Sequence, residues 1–236
     1  MSVKPPAAIG IVGGGQLARM SGLAARAMGY RVVIADPDPD CPAAAIADQV
    51  VTGALRDPLA VLPLAHNVDV VTYEFENINP VVLDELAGER PVHPAPAVLR
   101  VTQDRVLEKT NLNRLGIPTA PWRPVGKAED LTAAIEAIGL PAVLKTARDG
   151  YDGKGQFVLR TADDVLPAWE ALGGKRLILE GWVPFVCELS VIVARTESGA
   201  VQAFPPAENI HEQNILAYSI VPARVAEATR VKAQEL

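Results

Sequence analysis

The sequence is poor in cysteine, histidine and aromatic residues, and each shortage argues against a class of protein. Cys41 and Cys187 are the only cysteines among 236 residues and stand far apart. This spacing argues against a disulfide-stapled fold and favours a reducing, cytoplasmic setting. The three histidines, His66, His93 and His211, are scattered along the chain. Their spacing is not that of zinc ligands.

Blocks of basic residues and long apolar runs are also missing. The net charge is −6 and no basic stripe is present, which argues against a nucleic-acid partner. No apolar stretch reaches the roughly 18 residues that a membrane-spanning helix needs. The opening letters MSVKPPAAIGIVGGG contain too short an apolar run for a signal peptide. We therefore expect neither a membrane nor a nucleic acid among the partners.

The apolar residues that are present follow the pattern of an α/β protein. They make up 49% of the chain, enough for one large core or two smaller domains. Residues 9–12 and 31–35 are predicted strands, and between them apolar residues recur at helical spacing from Leu17 to Met28, with Gly29 closing the helix. Such a unit implies a parallel sheet with a right-handed crossover. IADQVVTG and VDVVTYEFE are further predicted strands, with a helix in DPLAVLPLAH between them.

The second half of the chain predicts a smaller α+β arrangement. A helix is predicted from about residue 97 to 115, and TAPWRPV is predicted to be an extended linker. The elements predicted next are helix 129–138, strand 141–146, strand 156–160, helix 162–172 and strand 176–181. FVCELSVIVARTESGAVQAFPP is predicted to be a β-hairpin that turns at residues 197–199, and ILAYSIVPA a strand. A final alanine-rich helix starts at residue 224 without a stop signal, so we expect the chain to be truncated.

Three glycines follow the first predicted strand and open the first helix, in the letters GGGQLA. The backbone N–H groups of such a turn can bind a phosphate together with the helix N-terminus. The alternative is a tight turn that holds no ligand. Asp36 ends the second strand 23 residues after Gly13, where a dinucleotide-binding fold places the acid that binds ribose. A nicotinamide or flavin enzyme is therefore one interpretation, and an ordinary Asp-Pro turn is another.

The letters YEFEN place two carboxylates at the carboxyl end of a predicted strand. In open α/β sheets this edge is where ligands bind. Glu74 and Glu76 share one side of the strand because side chains alternate with period two. Two like charges so close need water, a cation or a hydrogen-bonding ligand. The pair is a candidate substrate site, and a solvated strand end is the alternative.

Residues 144–157, LKTARDGYDGKGQF, hold three glycines within six residues. Lys145 ends a short buried strand and can place its ammonium beside a phosphate. The glycines allow close backbone approach and mobility, Lys154 adds charge, and Tyr151 can stack on a ring. No Gly-Lys-Ser/Thr opens a helix here, so the pattern is closer to the glycine-rich lid over ATP in protein kinases than to a phosphate loop. The alternative is a polar hairpin turn, which needs fewer glycines and lysines.

The segment LILEGWVPFVCELS adds two carboxylates beyond the glycine loop. Glu180 ends a predicted strand, and it could read an adenine edge together with the backbone of residues 181–183. Glu188, which we expect to be buried, could accept hydrogen bonds from ribose hydroxyls. An ordinary salt-bridged glutamate is the alternative for each. The order of strand lysine, glycine loop and two glutamates makes the set specific.

This order resembles the ATP-grasp superfamily. GGGQLARM, YEFEN, RVLEK, GIPTAPW, KTARDGYDGKGQ and AENIHEQNIL together resemble its 5-(carboxyamino)imidazole ribonucleotide synthase family, over essentially the whole chain. The resemblance implies an α/β fold with a Rossmann-like substrate-binding domain at 1–95 and an α+β ATP-grasp domain at 96–236. Within the latter it implies a lid subdomain at 118–182 and an incomplete C-terminal subdomain at 183–236.

The activity that the resemblance implies is the ATP-dependent carboxylation of 5-aminoimidazole ribonucleotide. Bicarbonate is the carbon source, carboxyphosphate the intermediate, and ATP and Mg²⁺ the cofactors. The pathway is de novo purine biosynthesis, and the enzyme is implied to be a cytoplasmic homodimer. A labile carboxyphosphate needs a closed, water-poor pocket, which a glycine loop that opens and shuts can provide.

Carried over position by position, the resemblance implies three sets of site residues. The ATP-binding residues are Arg105, Lys145, Gly150, Tyr151, Asp152, Gly153, Lys154, Gly155, Gln156, Glu180, Gly181, Trp182, Val183, Glu188 and His211. Among these, Arg105 and Lys145 would touch the phosphates, residues 150–156 would form the lid, residues 180–183 would contact adenine, and Glu188 would hold the ribose. The substrate-binding residues are Gln16, Leu17, Glu74, Glu76, Tyr151 and Lys154. The catalytic residues are Tyr151, Asp152 and Lys154.

The sequence departs from the family in one respect, and it leaves three alternatives open. The family's magnesium-binding Glu and its Asn-Glu motif lie beyond residue 236, so no metal ligand is assigned here and the chain is expected to be inactive or severely impaired. One alternative is the related formate-dependent glycinamide ribonucleotide transformylase. A second is a nicotinamide-binding protein, which leaves Lys145, the glycine loop and Glu188 without a role. A third is a nucleotide-binding module without catalysis.

Overall fold

The chain forms two compact units in a computed structural model that describes residues 3–150 and 154–236. One unit is Met1–Asp104 and the other is Arg105–Leu236. Each has its own buried apolar core. Within the described residues, every helix is too short or too polar to span a lipid bilayer.

The first unit is built on a four-stranded sheet that is parallel throughout. Its strands are β1 (Ala8–Val12), β2 (Arg31–Asp36), β3 (Gln49–Thr52) and β4 (Val70–Tyr73). They lie in the order β3-β2-β1-β4. This arrangement confirms the predicted Rossmann-like sheet, and it places the glycine turn after β1 and the glutamates after β4 at the same edge.

Four α-helices connect and follow these strands. They are α1 (Gln16–Ala27), α2 (Pro58–Val61), α3 (Pro80–Glu89) and α4 (Pro96–Thr102). The helix predicted in DPLAVLPLAH is α2 followed by a 3₁₀ segment, Leu62–Asn67. Pro63 lies at the start of that segment, because proline cannot continue the α-helical hydrogen-bond ladder.

The α1 helix packs on the sheet through small residues, and this differs from the apolar spacing that predicted it. Ala18, Gly22 and Ala25 are buried. A Cβ on Gly22 would lie 2.4 Å from Cδ1 of Ile46, in the 3₁₀ segment Ala44–Ile46, and 3.5 Å from Cγ1 of Val32 in β2, so a larger side chain would need Ile46 to move. The larger apolar residues of the helix, among them Leu17 and Met20, are at least half exposed.

The second unit begins with a four-stranded antiparallel sheet and three helices. The strands are β5 (Trp122–Val125), β6 (Ala142–Thr146), β7 (Gln156–Leu159) and β8 (Leu177–Gly181), in the order β5-β8-β6-β7. The helices are α5 (Arg105–Arg114), α6 (Ala128–Ile138) and α7 (Val165–Leu172). The prediction that TAPWRPV is a linker was wrong for residues 122–125, which pair with β8 as an edge strand.

The single helix predicted over 97–115 was also wrong, because α4 and α5 are separate. The Gln103 side chain donates to the carbonyls of Glu76 and Ile78 at 2.5 and 2.6 Å. Two residues later, the backbone N–H of Arg105 donates to the carbonyl of Ala147 at 2.9 Å. Each side of the break is therefore held by tertiary hydrogen bonds that the helical sequence pattern does not reveal.

The rest of the second unit is made of short strands and a last helix. These are β9 (Glu188–Ser190), β10 (Val193–Arg195), β11 (Val201–Ala203), β12 (Ala207–Glu212), β13 (Ile215–Ile220) and α8 (Glu227–Glu235). The predicted hairpin exists only as β10 and β11. The residues before it, in β9, pair with β12 and join a separate sheet in the order β13-β12-β9.

Candidate functional site

The glycine turn of the first unit has no room for larger residues. A Cβ on Gly14 would lie 2.3 Å from Cys41 Sγ, closer than real Cβ contacts. Gly13 has φ +99°, a conformation that favours glycine. The turn leads directly into Gln16 and Leu17, which are exposed at the first positions of α1.

The Asp36 carboxylate accepts backbone N–H groups from this turn and from the segment after β2. Its Oδ2 accepts the N–H of Gly14 at 2.7 Å, and its Oδ1 accepts the N–H of Asp38 at 2.9 Å. A ribose-binding aspartate in a dinucleotide fold needs its oxygens for the ligand's hydroxyls. The geometry therefore favours a structural role for Asp36 and weakens the nicotinamide interpretation.

Glu74 lies directly over the glycine turn. Its Oε2 is 2.7 Å from the place of a Cβ on Gly13, and its Oε1 is 2.6 Å from that on Gly15. Burial raises the pKa of Glu74, the nearby carboxylates of Asp36 and Glu76 add to the rise, and the Gly15 N–H opposes it. The predicted substrate residues Gln16, Leu17 and Glu74 thus lie around one helix N-terminus.

Glu76 differs from Glu74 in its surroundings. Glu76 is exposed, and its backbone carbonyl accepts a hydrogen bond from Gln103 Nε2 at 2.5 Å. The predicted role of either glutamate in substrate binding stays a prediction. Of the two, Glu74 has the position against the glycine turn.

In the second unit, Arg105 fixes the entrance to the predicted glycine loop. Its guanidinium donates to the carbonyls of Thr146 and Gly150 at 3.0 and 2.9 Å. On the far side of the loop, the Gly155 carbonyl accepts the N–H of Thr146 at 2.8 Å. Gly155 has φ +72°, and a Cβ there would lie 2.8 Å from Thr146 Oγ1. Both ends of the loop are therefore fastened to the end of β6.

Part of the predicted loop is not described. Tyr151, Asp152 and Gly153 lie outside the described residues, so their predicted catalytic and nucleotide-binding roles stay predictions. Lys154 is exposed, and Gln156 is the first residue of β7.

A cavity of about 820 Å³ opens beside the end of β6. Five of the predicted ATP-binding residues line it: Lys145, Gln156, Trp182, Glu188 and His211. The other lining residues are Val143, Val158, Phe185, Val186, Cys187, Glu208, Asn209, Ile210, Gln213 and Asn214. The volume lies within the range of small-molecule sites, which combine apolar walls with a few convergent polar groups. The remaining described residues of the predicted ATP set, among them Arg105 and Glu180, do not line this cavity.

The expectation that Glu188 is buried was wrong. Its side chain is 46% exposed, and its Oε2 lies 2.7 Å from His211 Nδ1. Glu188 is on β9 and His211 on β12, and the antiparallel pairing of these strands brings the two side chains together at the cavity wall. A carboxylate in this position can accept hydrogen bonds from ligand hydroxyls.

Glu180, in contrast, is held by two lysines. Glu180 is only 8% exposed. Its Oε2 is 2.9 Å from Lys145 Nζ, and its Oε1 is 3.4 Å from Lys109 Nζ. Burial pushes the pKa of Glu180 upward, but the two ammonium groups outweigh burial and hold the pKa below its usual value. Sequence reasoning missed Lys109. Its partner Glu180 lies 71 positions further along the sequence, so no local pattern signals the contact.

No group of three or more potential metal-ligating side chains occurs among residues 3–150 and 154–236. The described carboxylates near the cavity are engaged separately, Glu180 by lysines, Glu188 by His211 and Glu208 by Arg224. These residues therefore do not form a protein cage for Mg²⁺.

Comparison with known proteins assigns both units to described domains. A family model for the ATP-grasp domain matches residues 110–236. A family model for the ribonucleotide synthetase preATP-grasp domain matches residues 7–103.

Three relatives illustrate the similarity. The N5-carboxyaminoimidazole ribonucleotide synthase of Brucella melitensis is 47% identical over 241 residues, which cover 100% of this chain and 67% of the relative. A crystal structure of N5-carboxyaminoimidazole synthetase from Staphylococcus aureus complexed with ADP superposes with a TM-score of 0.94 at 35% identity, covering 99% of this chain and 62% of that one. The Aspergillus clavatus N5-carboxyaminoimidazole synthase in complex with ADP and 5-aminoimidazole ribonucleotide superposes with a TM-score of 0.87 at 34% identity, covering 97% and 60%. The chain thus spans between 60% and 67% of the length of these relatives.

Proposed function

Because the chain belongs to the N5-carboxyaminoimidazole ribonucleotide synthase family of ATP-grasp proteins, we propose that it catalyses the ATP-dependent carboxylation of 5-aminoimidazole ribonucleotide. Bicarbonate supplies the carboxyl group, and the product is 5-(carboxyamino)imidazole ribonucleotide, an intermediate of purine biosynthesis. The observation that carries the proposal is the cavity in which Lys145, Glu188 and His211 converge. The cavity supports nucleotide binding because it combines the ammonium of Lys145, the carboxylate of Glu188 as an acceptor for hydroxyls, and the aromatic ring of Trp182.

The proposed reaction has two steps. A bicarbonate oxygen attacks the γ-phosphorus of ATP, the bond from that phosphorus to the β–γ bridging oxygen breaks, and ADP leaves with carboxyphosphate formed. The exocyclic amine of 5-aminoimidazole ribonucleotide then attacks the carboxyl carbon, phosphate leaves, and the nitrogen loses a proton. Each step moves negative charge between oxygens, so cations and N–H donors fixed beside those oxygens lower the barrier.

Lys145 is the described residue best placed to act on the phosphates. It is the penultimate residue of β6 and lies at the cavity wall, and its side chain is 28% exposed. A lysine ammonium is a compact point charge suited to a phosphate. Glu188 and His211 would meet the ribose side of the nucleotide, and Trp182 offers a flat apolar surface. Contact of residues 180–183 with adenine remains part of the proposal.

The nucleotide substrate is proposed to bind at the first unit, around the N-terminus of α1. Gln16 and Leu17 are exposed there, and Glu74 is the carboxylate that can accept hydrogen bonds from the substrate's amine or hydroxyls. The Aspergillus clavatus relative was solved with 5-aminoimidazole ribonucleotide, which supports a site of this kind in the family. Catalytic roles for Tyr151, Asp152 and Lys154 belong to the same proposal.

The proposal has further parts that depend on the family. Mg²⁺ would enter with the ATP phosphates, since it keeps several waters and binds through substrate phosphates in many nucleotide sites. The enzyme would be a cytoplasmic homodimer. The domain limits at residue 95 and the division into 118–182 and 183–236 are also proposals.

Binding and turnover test the proposal separately. Calorimetric titration of the 236-residue chain should give a saturable ADP and ATP isotherm that Lys145→Met weakens and the control Lys175→Met leaves unchanged, because Lys175 is exposed outside the cavity. Turnover is measured on the full-length product of the gene. ADP release should require both 5-aminoimidazole ribonucleotide and bicarbonate. ADP release that instead requires glycinamide ribonucleotide and formate would overturn the assignment in favour of the related transformylase.

A further inference from the structure

In the second unit, a row of three side chains with alternating charges runs from the cavity wall inward. Lys145 on β6 lines the cavity, and Lys109 on α5 does not. Between them lies Glu180 on β8, with one carboxylate oxygen 2.9 Å from Lys145 Nζ and the other 3.4 Å from Lys109 Nζ. The side chains of Lys109 and Glu180 are 15% and 11% exposed, and that of Lys145 is 28% exposed. One carboxylate is therefore shared by an inner lysine and a lysine at the cavity.

The charge balance explains why two lysines are needed. If Lys145 were the only partner of Glu180, the positive and negative charges of the pair would cancel. The pair would then offer no net positive charge to an anion in the cavity. A buried carboxylate that loses its only partner is strongly destabilising. An anion that draws Lys145 away would thus have to leave Glu180 uncompensated.

Other charged groups lie around Glu180. Glu108 and Arg105 are on the same helix as Lys109. Burial raises the pKa of Glu108, while Arg105 and Lys109 oppose the rise and Glu180 adds to it. Among these groups, the contact that the structure gives Lys109 is the one to Glu180.

We propose that Lys109 is a positioning residue for the phosphates of the bound nucleotide: by compensating Glu180 from inside, it leaves Lys145 free to act on an anion in the cavity. This inference rests on the proposed function, since it takes the anion to be a nucleotide phosphate. Lys109 itself need not touch the nucleotide. Its effect appears only in the part of the affinity that comes from phosphates.

The experiment compares ATP and ADP with adenosine, which has no phosphate. Calorimetric dissociation constants are measured for the wild type, Lys109→Met, Lys109→Arg and the control Lys175→Met. Lys109→Met should weaken ATP at least about tenfold and leave adenosine nearly unchanged. Lys109→Arg keeps the charge and should recover most of the ATP affinity. Lys175→Met should match the wild type for all three ligands.

A double variant tests whether Lys109 acts by compensating the charge of Glu180. In Lys109→Met/Glu180→Gln, the carboxylate that needs compensation is gone together with its inner partner. The ratio of ATP to adenosine affinity should therefore return toward the wild-type ratio, even if adenosine itself binds differently. A denaturation midpoint for each variant shows whether it is folded at the temperature of the titration.

The outcomes separate this inference from the proposed function. If Lys109→Met lowers the denaturation midpoint but leaves the ATP-to-adenosine ratio unchanged, or if the double variant is as weak for ATP as the single one, Lys109 has only a structural role and the inference is overturned. If the full-length product turns over 5-aminoimidazole ribonucleotide normally in that case, the proposed function stands without it. If the wild type binds neither ATP nor ADP and the full-length product releases no ADP, both fall together.

Discussion

The guanidinium of Arg105 donates to the carbonyl oxygen of Gly150 at 2.9 Å. A second N–H of the same group donates to the Thr146 carbonyl at 3.0 Å, and the Arg105 backbone N–H donates to the Ala147 carbonyl at 2.9 Å. The first residue of α5 therefore clamps the segment that joins Lys145 to the glycine loop. This role needs no ligand, and it is additional to the phosphate contact that the family resemblance implies.

Replacing Arg105 by lysine separates the clamp from the charge. Lysine keeps the positive charge but lacks the planar fork that reaches two carbonyls at once. Since hydrogen bonds from charged groups contribute about 1.5–3 kcal/mol each, we expect Arg105→Lys to weaken ADP binding about tenfold or more. Titration calorimetry on the 236-residue chain measures this, with Arg114→Lys on the exposed end of the same helix as the matched control. Wild-type affinity in Arg105→Lys would show that only the charge matters.

Two glycine-to-alanine substitutions should change stability in opposite directions. A Cβ on Gly14 would meet Cys41 Sγ at 2.3 Å and Asp36 Cβ at 3.1 Å, so Gly14→Ala overpacks the turn. We expect it to lower the free energy of unfolding by about 1–3 kcal/mol. Gly88 lies in α3 with nothing within 4 Å of its Cβ position, and Gly88→Ala should raise the free energy of unfolding by roughly 0.5–1 kcal/mol. Urea midpoints of the two variants check the pair, and a neutral Gly14→Ala would contradict the packing seen at Cys41.

Glu74→Gln should separate stability from substrate binding. The folded-state pKa of Glu74 is raised, chiefly by burial and then by Asp36 and Glu76. A raised carboxyl pKa means that the charged form costs stability above that pKa, and the cost disappears as pH falls below the ordinary value near 4.5. We therefore expect Glu74→Gln to be at least as stable as the wild type at pH 7, with the difference vanishing in acid.

The functional effect of Glu74→Gln should run the other way. Glutamine is a weaker acceptor than a carboxylate toward an amine or hydroxyl. On the full-length gene product, the KM for 5-aminoimidazole ribonucleotide should rise about tenfold, while the KM for ATP stays near the wild-type value. Glu76→Gln is the matched control because Glu76 is exposed. A larger effect of Glu76→Gln on the same KM would assign the substrate contact to Glu76 instead.

Sequence patterns predicted the first unit well because its signals are local. A buried strand, a glycine turn and a helix follow one another within residues 8–27, and parallel pairing then brings the ends of β1 and β4 to one edge. The spacing of Leu17 and Met20 gave the correct helix but not the buried face. The buried face is made by the small residues Ala18 and Gly22 instead, and Gly22 packs against Ile46, so this face depends on tertiary packing.

The features that sequence patterns missed depend on contacts between distant segments. The break between α4 and α5 contains neither proline nor glycine, and it is fixed by Gln103 and Arg105 through carbonyls far along the chain. Lys109 and Glu180 are 71 positions apart in the sequence, so helical periodicity cannot predict their contact. The side-chain partners of Glu188 and Glu180 could not be assigned in advance for the same reason.

The ion pair of Glu208 and Arg224 predicts how the cavity wall responds to acid. Arg224 Nε and Nη2 donate to the two Glu208 carboxylate oxygens at 2.9 and 2.7 Å, and Glu208 lines the cavity. These bonds lower the pKa of Glu208 from 4.5 to about 2. Since the folded-state pKa is the lower one, the pair stabilises the fold fully above pH 4.5, and its contribution fades as pH falls toward about 2.

Arg224→Gln should remove that pH-dependent contribution. We expect the wild type to have the higher urea midpoint from pH 5 to 7, and the two midpoints to converge below pH 4.5. The difference should be small and should shrink with added salt, because Arg224 is 62% exposed. Arg195→Gln, an exposed arginine on β10, is the matched control and should give no such convergence. If the gap between wild type and Arg224→Gln stays constant down to pH 2, Glu208 does not titrate against Arg224, and the pair does not hold this wall of the cavity.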